Sequence, residues 1–295
     1  MALAMSQFPQ IPPNLHWLDT SSPGREWLRE LPSRVARCVE KWALRLESPY
    51  QQSFVSIVFP ATRSDGSSAV LKVQWPHPES LHEPEALRLW NGNAAVRLYA
   101  YDPEEHALLV ERCDPGHHLS TVGQEQALEV FIDILPRLWV PAGQPFRSLT
   151  EECAEWQRRL PADWQLAQRP FEPALLDAVL EAMDQLSSSQ GAQVLLHQDL
   201  HGDNVLSTRR EAWLAIDPKP LVGERELSLA PIIRSYEFSH SRANVVRRLD
   251  TLSTALRLDR ERCRLWALIQ TLAWGFEGAT VCDKHVETAR WLWQA

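Results

Sequence analysis

A chain of 295 residues, 44% hydrophobic and 23% charged, has room for one large domain or two lobes and the balance of a globular rather than a disordered protein. With 30 basic against 38 acidic residues the net charge is −8, so no basic excess exists to neutralise nucleic-acid phosphates. Five widely spaced cysteines, never in a C-x-x-C pair, argue against a disulfide framework or a thiolate zinc site. The N-terminus has no signal-like run and no stretch approaches about 18 apolar residues, so a cytoplasmic protein without membrane spans is expected.

Residues 1 to 24, with their prolines and "TSSPG", read as a frayed leader, and "REWLRELPSRVARCVEKWALRL" as a helix. From Ser53, "SFVSIVFPATRSDGSSAVLKVQW" gives two β-rich runs about Ser64-Asp65-Gly66-Ser67, an antiparallel hairpin. "HPESLHEPEALRLWNG" predicts a helix stopped by Asn91-Gly92, and "AVRLYAYDPEEHALLVERC" predicts two short strands turning at Asp102-Pro103. From Ser120 onward helical periodicity dominates, in "TVGQEQALEVFIDILPRLW", "SLTEECAEWQRRL", "ALLDAVLEAMDQL", "RANVVRRLDTLSTALRL" and "RERCRLWALIQTLAWGFEG". The exception is about 194 to 221, where short apolar runs flank polar clusters. These signals divide the chain into a strand-rich lobe, 1–112, and a helical lobe, 113–295.

The polar cluster "LLHQDLHGDNVL" admits three readings. His197 and His201 stand four apart, as zinc ligands on a helix do, but the Glu of H-E-x-x-H is missing and a Gly follows. A tight polar turn is the second reading. The third is a kinase catalytic loop, in which a base Asp is followed five residues later by an Asn that holds Mg²⁺; Asp199 and Asn204 have that spacing. Asp217 then ends the apolar run of "WLAIDPKP", where a kinase places its second metal-binding carboxylate. Upstream, Lys72 lies in the strand "AVLKV". If it points inward it needs an anion, which a helix carboxylate and phosphate oxygens would supply; alone, it would be read as reaching the surface.

The motifs "AVLKV", "EALRLWNGNAAVRLYAYD", "ALLVERCDPG", "LLHQDLHGDNVL" and "AIDPKPLVGE", over roughly residues 35 to 235, resemble the aminoglycoside phosphotransferases. The resemblance is strongest to the branch of streptomycin 6-phosphotransferase and the aminoglycoside/hydroxyurea antibiotic resistance kinases. It implies an α+β, protein-kinase-like two-lobe fold, with a small mixed β-sheet lobe and a larger helical lobe. It also implies transfer of the γ-phosphate of ATP, with Mg²⁺, to a hydroxyl of a small polar or cationic molecule such as an aminoglycoside. Carried over by position, Asp199 would orient and deprotonate the acceptor, and Asn204 and Asp217 would bind Mg²⁺. Lys72 would meet the α- and β-phosphates with Glu83, or else Glu85, as its partner. Ser53 falls in the segment over the phosphates, and backbone groups of Glu111 to Cys113 would face adenine. His197 would brace the loop; Lys219 could offset phosphate charge or pack beside Pro220. Lys72, Asp199, Asn204 and Asp217 are expected to converge.

Three departures stand out. "SPYQQSFVSIV" has no glycine over the phosphates, Gln198 replaces a usual Gly and would crowd the acceptor site, and Ser228 replaces an Asp that braces the catalytic loop. They keep open an alternative, a catalytically lapsed kinase fold that binds a ligand or partner. Trp156, Trp164, Glu151, Glu152 and Glu155 read as an ordinary amphipathic helix, with a cationic pocket as the alternative.

Overall fold

Residues 10–295 are described in a computed structural model, in which one unit ends at Asp114 and a second spans Pro115–Ala295. Residues 1–9, where the expected leader begins, lie outside the described residues. The rest of that leader is not frayed. Pro13–Thr20 forms a 3₁₀ turn whose Leu15 and Leu18 are fully buried, because they complete an apolar core. Ser21 then caps helix α1 (Ser22–Trp42), its hydroxyl accepting from the Gly24 N–H at 3.1 Å.

In the first unit, β1 (Arg45–Leu46), β2 (Ser56–Thr62), β3 (Ser68–Gln74), β4 (Leu98–Asp102) and β5 (Ala107–Glu111) form one sheet in the order β1-β2-β3-β5-β4, antiparallel at every pairing. The β2–β3 turn is the expected one: Asp65 accepts from the Ser67 N–H at 2.9 Å, and Gly66 takes a φ of 84°. Leu71 and Val73 of β3 pack with Leu31, Val35 and Cys38 of α1. The two-residue period of a strand turns Lys72 to the other face. Helix α2 (Glu83–Trp90) carries the acids that could meet it there, and ends as expected at Asn91, whose φ is 46°.

The second unit is mostly helical, with α3 (Gln124–Leu138), α4 (Leu149–Leu166), α5 (Pro173–Ser187), α6 (Ala230–Arg234), α7 (Arg242–Leu256), α8 (Arg260–Ala273) and α9 (Asp283–Trp293). Two small antiparallel sheets carry its polar loops. One joins β6 (Pro115–His118), β8 (Val205–Thr208) and β9 (Trp213–Ala215); the other pairs β7 (Gln193–Leu196) with β10 (Leu221–Glu224). A last hairpin, β11 (Phe276–Glu277) and β12 (Thr280–Val281), precedes α9. Helix α8 is buried almost all round, as an apolar central helix should be. Its Arg262 ties β10 down by an ion pair with the buried Glu224 at 2.8 Å. No described helix is long and apolar enough to cross a membrane.

Candidate active site

In the first unit, Lys72 Nζ lies 2.7 Å from Glu83 Oε2, with both side chains almost wholly buried. Gln74, on the same face two residues on, donates to the same carboxylate oxygen. Glu85 instead pairs with Arg88 at 3.1 Å on the surface. Ser53 shares a hydroxyl hydrogen bond with Ser56 at 2.7 Å, just ahead of β2. Glu111 ends β5, where its carboxylate accepts from the Arg97 N–H at 3.1 Å, and Cys113 follows two residues later.

In the second unit, β7 delivers the chain into His197, and the β8–β9 hairpin brings its two ends together. Ile216 N–H donates to Asn204 C=O at 2.9 Å, so Asp217 emerges beside Asn204. The Asn204 side-chain nitrogen donates to Asp199 C=O at 2.9 Å, which turns the amide's acceptor oxygen away from that bond. Asp217 takes a φ of 56°, an uncommon conformation for a residue with a side chain and one that clusters at functional sites. His197 braces the loop: Nε2 meets Ile216 C=O at 2.9 Å, and burial lowers the ring's pKa to about 4. Lys219 is tied in by its own N–H to His197 C=O at 3.0 Å. Its ammonium stands 3.1 Å from Asp199 Oδ2 and 4.7 Å above the Trp274 ring, whose π-system also meets Arg234 at 5.4 Å.

The two histidines do not form a metal site, and among the described residues no group of three or more His, Cys, Asp or Glu could hold an ion. A single carboxylate and an amide oxygen are hard donors. They fit Mg²⁺, which keeps waters and borrows phosphate oxygens, and not a soft metal that needs a full protein cage.

The comparisons decide the family. Residues 41–283 match the model of the aminoglycoside/hydroxyurea antibiotic resistance kinases. The chain belongs to this family. Hydroxyurea phosphotransferase of Kitasatospora aureofaciens is 38% identical over 90% of this chain and 79% of its own length. Streptomycin 6-kinase of Streptomyces griseus is 36% identical over 86% of each. Among solved structures, choline kinase LicA of Streptococcus pneumoniae superposes with a TM-score of 0.62 at 14% identity, covering 90% of this chain and 98% of that one. Aminoglycoside phosphotransferase APH(4)-Ia gives 0.57 at 15% identity, covering 88% and 95%. At such identities these structures speak for the protein-kinase-like α+β fold alone. Family membership makes the chain a small-molecule kinase, a phosphotransferase with an alcohol group as acceptor.

Within that family frame the departures take on physical content. Ser228 does not brace the loop at 197–206. Its hydroxyl donates to Arg225 C=O and accepts from Trp139 Nε1 at 3.2 Å, so position 228 serves the turn before α6. The loop is held instead by Gln270 Nε2, donating to Gln198 C=O at 3.2 Å, and by Glu237 Oε1, accepting from Gly202 N–H at 2.7 Å. Burial would push the pKa of the Glu237 carboxyl up, but the polar groups around it, the His201 ring 3.7 Å away first among them, override that and lower it to about 2. A signal for Gln270 existed, a lone amide inside the apolar "LWALIQTLAW". Glu237 has no comparable mark in "SYEFSHS".

The helix bearing Trp156 and Trp164 is the ordinary one. Both rings are buried, Glu151 closes the capping box of α4, Glu152 pairs with Arg147 at 2.6 Å and Glu155 pairs with Arg158.

Gln198 is buried rather than projecting, at 5% exposure, with a φ of 63° and an amide nitrogen that meets no acceptor among the described residues. The left-handed backbone explains the glycine usual at this place, since it costs other residues about 1–2 kcal/mol. Gln198→Gly should therefore stabilise the protein. Relief of strain and of an unmet donor, about 1–3 kcal/mol, outweighs lost packing and added chain entropy, for a net gain of about 1 kcal/mol. A thermal scan should show Tm rising by about 2 °C, and a fall would contradict this reading.

Proposed function

We propose that this chain transfers the γ-phosphoryl group of ATP, bound with Mg²⁺, to a hydroxyl of a small polar or cationic acceptor. An aminoglycoside such as streptomycin or a small hydroxylated compound such as hydroxyurea is the acceptor class, after the two relatives named above. The observation that carries the reading is the closure of the β8–β9 hairpin. It sets Asn204 and Asp217 side by side while Asn204 is bonded to the backbone of Asp199. This supports reading Asp199 as a base and Asn204 and Asp217 as two hard ligands within one short loop system, which is what phosphoryl transfer asks of a protein, since positioning and charge do most of the work.

Asp199 takes the acceptor proton, and the Lys219 ammonium at 3.1 Å fixes the direction of its carboxylate. Asn204 and Asp217 hold Mg²⁺. Lys72, kept in place by Glu83, addresses the α- and β-phosphates; Ser53 lies in the segment covering them, and backbone groups of Glu111 to Cys113 receive the adenine. Mg·ATP, when bound, supplies the phosphoryl donor and neutralises phosphate charge. Residues 1–112 are read as the strand-rich lobe and 113–295 as the helical lobe. The lapsed-kinase alternative drew on the glycine-free segment over the phosphates, on Gln198 and on Ser228; the hydrogen bonds that hold the loop weigh against it for the last two. Five widely spaced cysteines with no C-x-x-C pair and the demand for ATP favour a cytoplasmic enzyme.

Calorimetric titration of ATP tests the metal assignment. Wild type with Mg²⁺ should bind at least about ten-fold tighter than wild type without it, and Asp217→Ala should lose that gain. Equal affinity in all four experiments would overturn it.

A further inference from the structure

We propose that Glu237 is the brace of the catalytic loop in this chain, positioning Asp199 and Asn204 through the Gly202 amide, and that the buried Arg248 holds Glu237 ready for that task. The consequence for turnover rests on the kinase reading above; the brace itself does not.

Gly202 lies between the base and the metal ligand, so an anchor there fixes both. Its N–H donates to Glu237 Oε1 at 2.7 Å, the short distance of a charge-assisted bond. The fit leaves no room for change. A Cβ on Gly202 would come within 2.7 Å of Phe238 Cζ, 2.9 Å of Ser120 N and 3.0 Å of Glu237 Oε1. The same carboxylate stands 3.7 Å from His201, whose other ring nitrogen is 4.0 Å from Asp199 Oδ1.

Glu237 sits on the irregular segment between α6 and α7, which would swing freely without an organiser. Arg248 of α7 is that organiser. It is fully buried, and its guanidinium donates to the carbonyls of Ile233, Ser235, Phe238 and Ser239 at 2.9–3.3 Å, with Gln124 Oε1 at 2.9 Å completing its bonds. A buried arginine spent on backbone carbonyls around one carboxylate fixes the shape of that segment, and a loop so fixed can orient another. Position 228, where the resemblance looked for a brace, has no hydrogen bond to the loop. Glu237 takes that role from a different place in the chain.

Hydrogen exchange read by mass spectrometry on the full-length protein tests the brace without any ligand. In Glu237→Ala the peptide spanning 197–206 should exchange about ten-fold faster, while α8 and the β7–β10 pair keep their protection. Glu237→Gln keeps an oxygen for Gly202 and loses only the charge, so it should fold as wild type and loosen the same peptide by about three- to five-fold. Ser228→Ala should leave that peptide unchanged. With Mg·ATP and hydroxyurea or streptomycin as probes, Glu237→Ala should lose about 10–100-fold in kcat with the acceptor KM within about three-fold, and Glu237→Gln should fall between. The proposal fails if 197–206 exchanges at the wild-type rate in both Glu237 variants, or if Ser228→Ala loosens it as much. Wild type that turns over neither probe would count against the proposed function, while the exchange comparison would still decide the brace.

Discussion

Asp199→Asn should lower the rate of phosphoryl transfer by about 10²–10⁴-fold, the loss of a positioned general base. The substitution keeps the shape of the side chain and removes its charge and basicity. The backbone carbonyl of Asp199, to which Asn204 is bonded at 2.9 Å, is untouched, so Asn204 stays in place and, on the proposed metal assignment, Mg·ATP affinity should move by less than about three-fold. The Lys219 ammonium, 3.1 Å from the native carboxylate, loses an ionic partner in a partly exposed setting, which costs little stability. Steady-state kinetics with parallel calorimetry separate these effects. Transfer that survives Asp199→Asn would mean that another group takes the proton.

The second large effect concerns stability. Glu83→Ala removes the carboxylate that faces the buried Lys72 ammonium at 2.7 Å and also strips Gln74 of its acceptor. Breaking a buried ion pair from one side costs about 3–5 kcal/mol, because the remaining ammonium stays out of water with this carboxylate gone. Glu85→Ala, which removes an exposed pair with Arg88, should cost less than about 1 kcal/mol. Urea denaturation of the two variants should differ by at least about 2 kcal/mol; equal losses would mean that Lys72 finds its anion elsewhere.

Much of this was legible because it is written locally. Asp65-Gly66 and Asn91-Gly92 state a turn and a helix stop in their own chemistry, and strand alternation alone turns Lys72 away from the α1 core. The polar loop was legible too, since Asp199 and Asn204 keep a fixed spacing within one stretch. What escaped depends on contacts between distant segments. Glu237 meets Gly202 only after α6 and α7 have placed the segment that carries it, and no periodicity records that meeting. The turn at Pro13–Thr20 hid behind its prolines, which punctuate the local pattern while Leu15 and Leu18 serve a core built mainly from later strands. Helix α9 was different. Val286, Ala289 and Leu292 carry a helical spacing, but it lies in a short C-terminal stretch beyond the last expected helix.

The most direct measurement is mass spectrometry of the acceptor after incubation of hydroxyurea, streptomycin and a panel of polyhydroxylated amines with the protein, ATP and Mg²⁺. The account predicts an acceptor heavier by one phosphoryl group in the wild type, formed at a rate that Asp199→Asn cuts by at least about a hundred-fold. Wild type that binds Mg·ATP but phosphorylates nothing on the panel, or a product formed equally fast by Asp199→Asn, would contradict it.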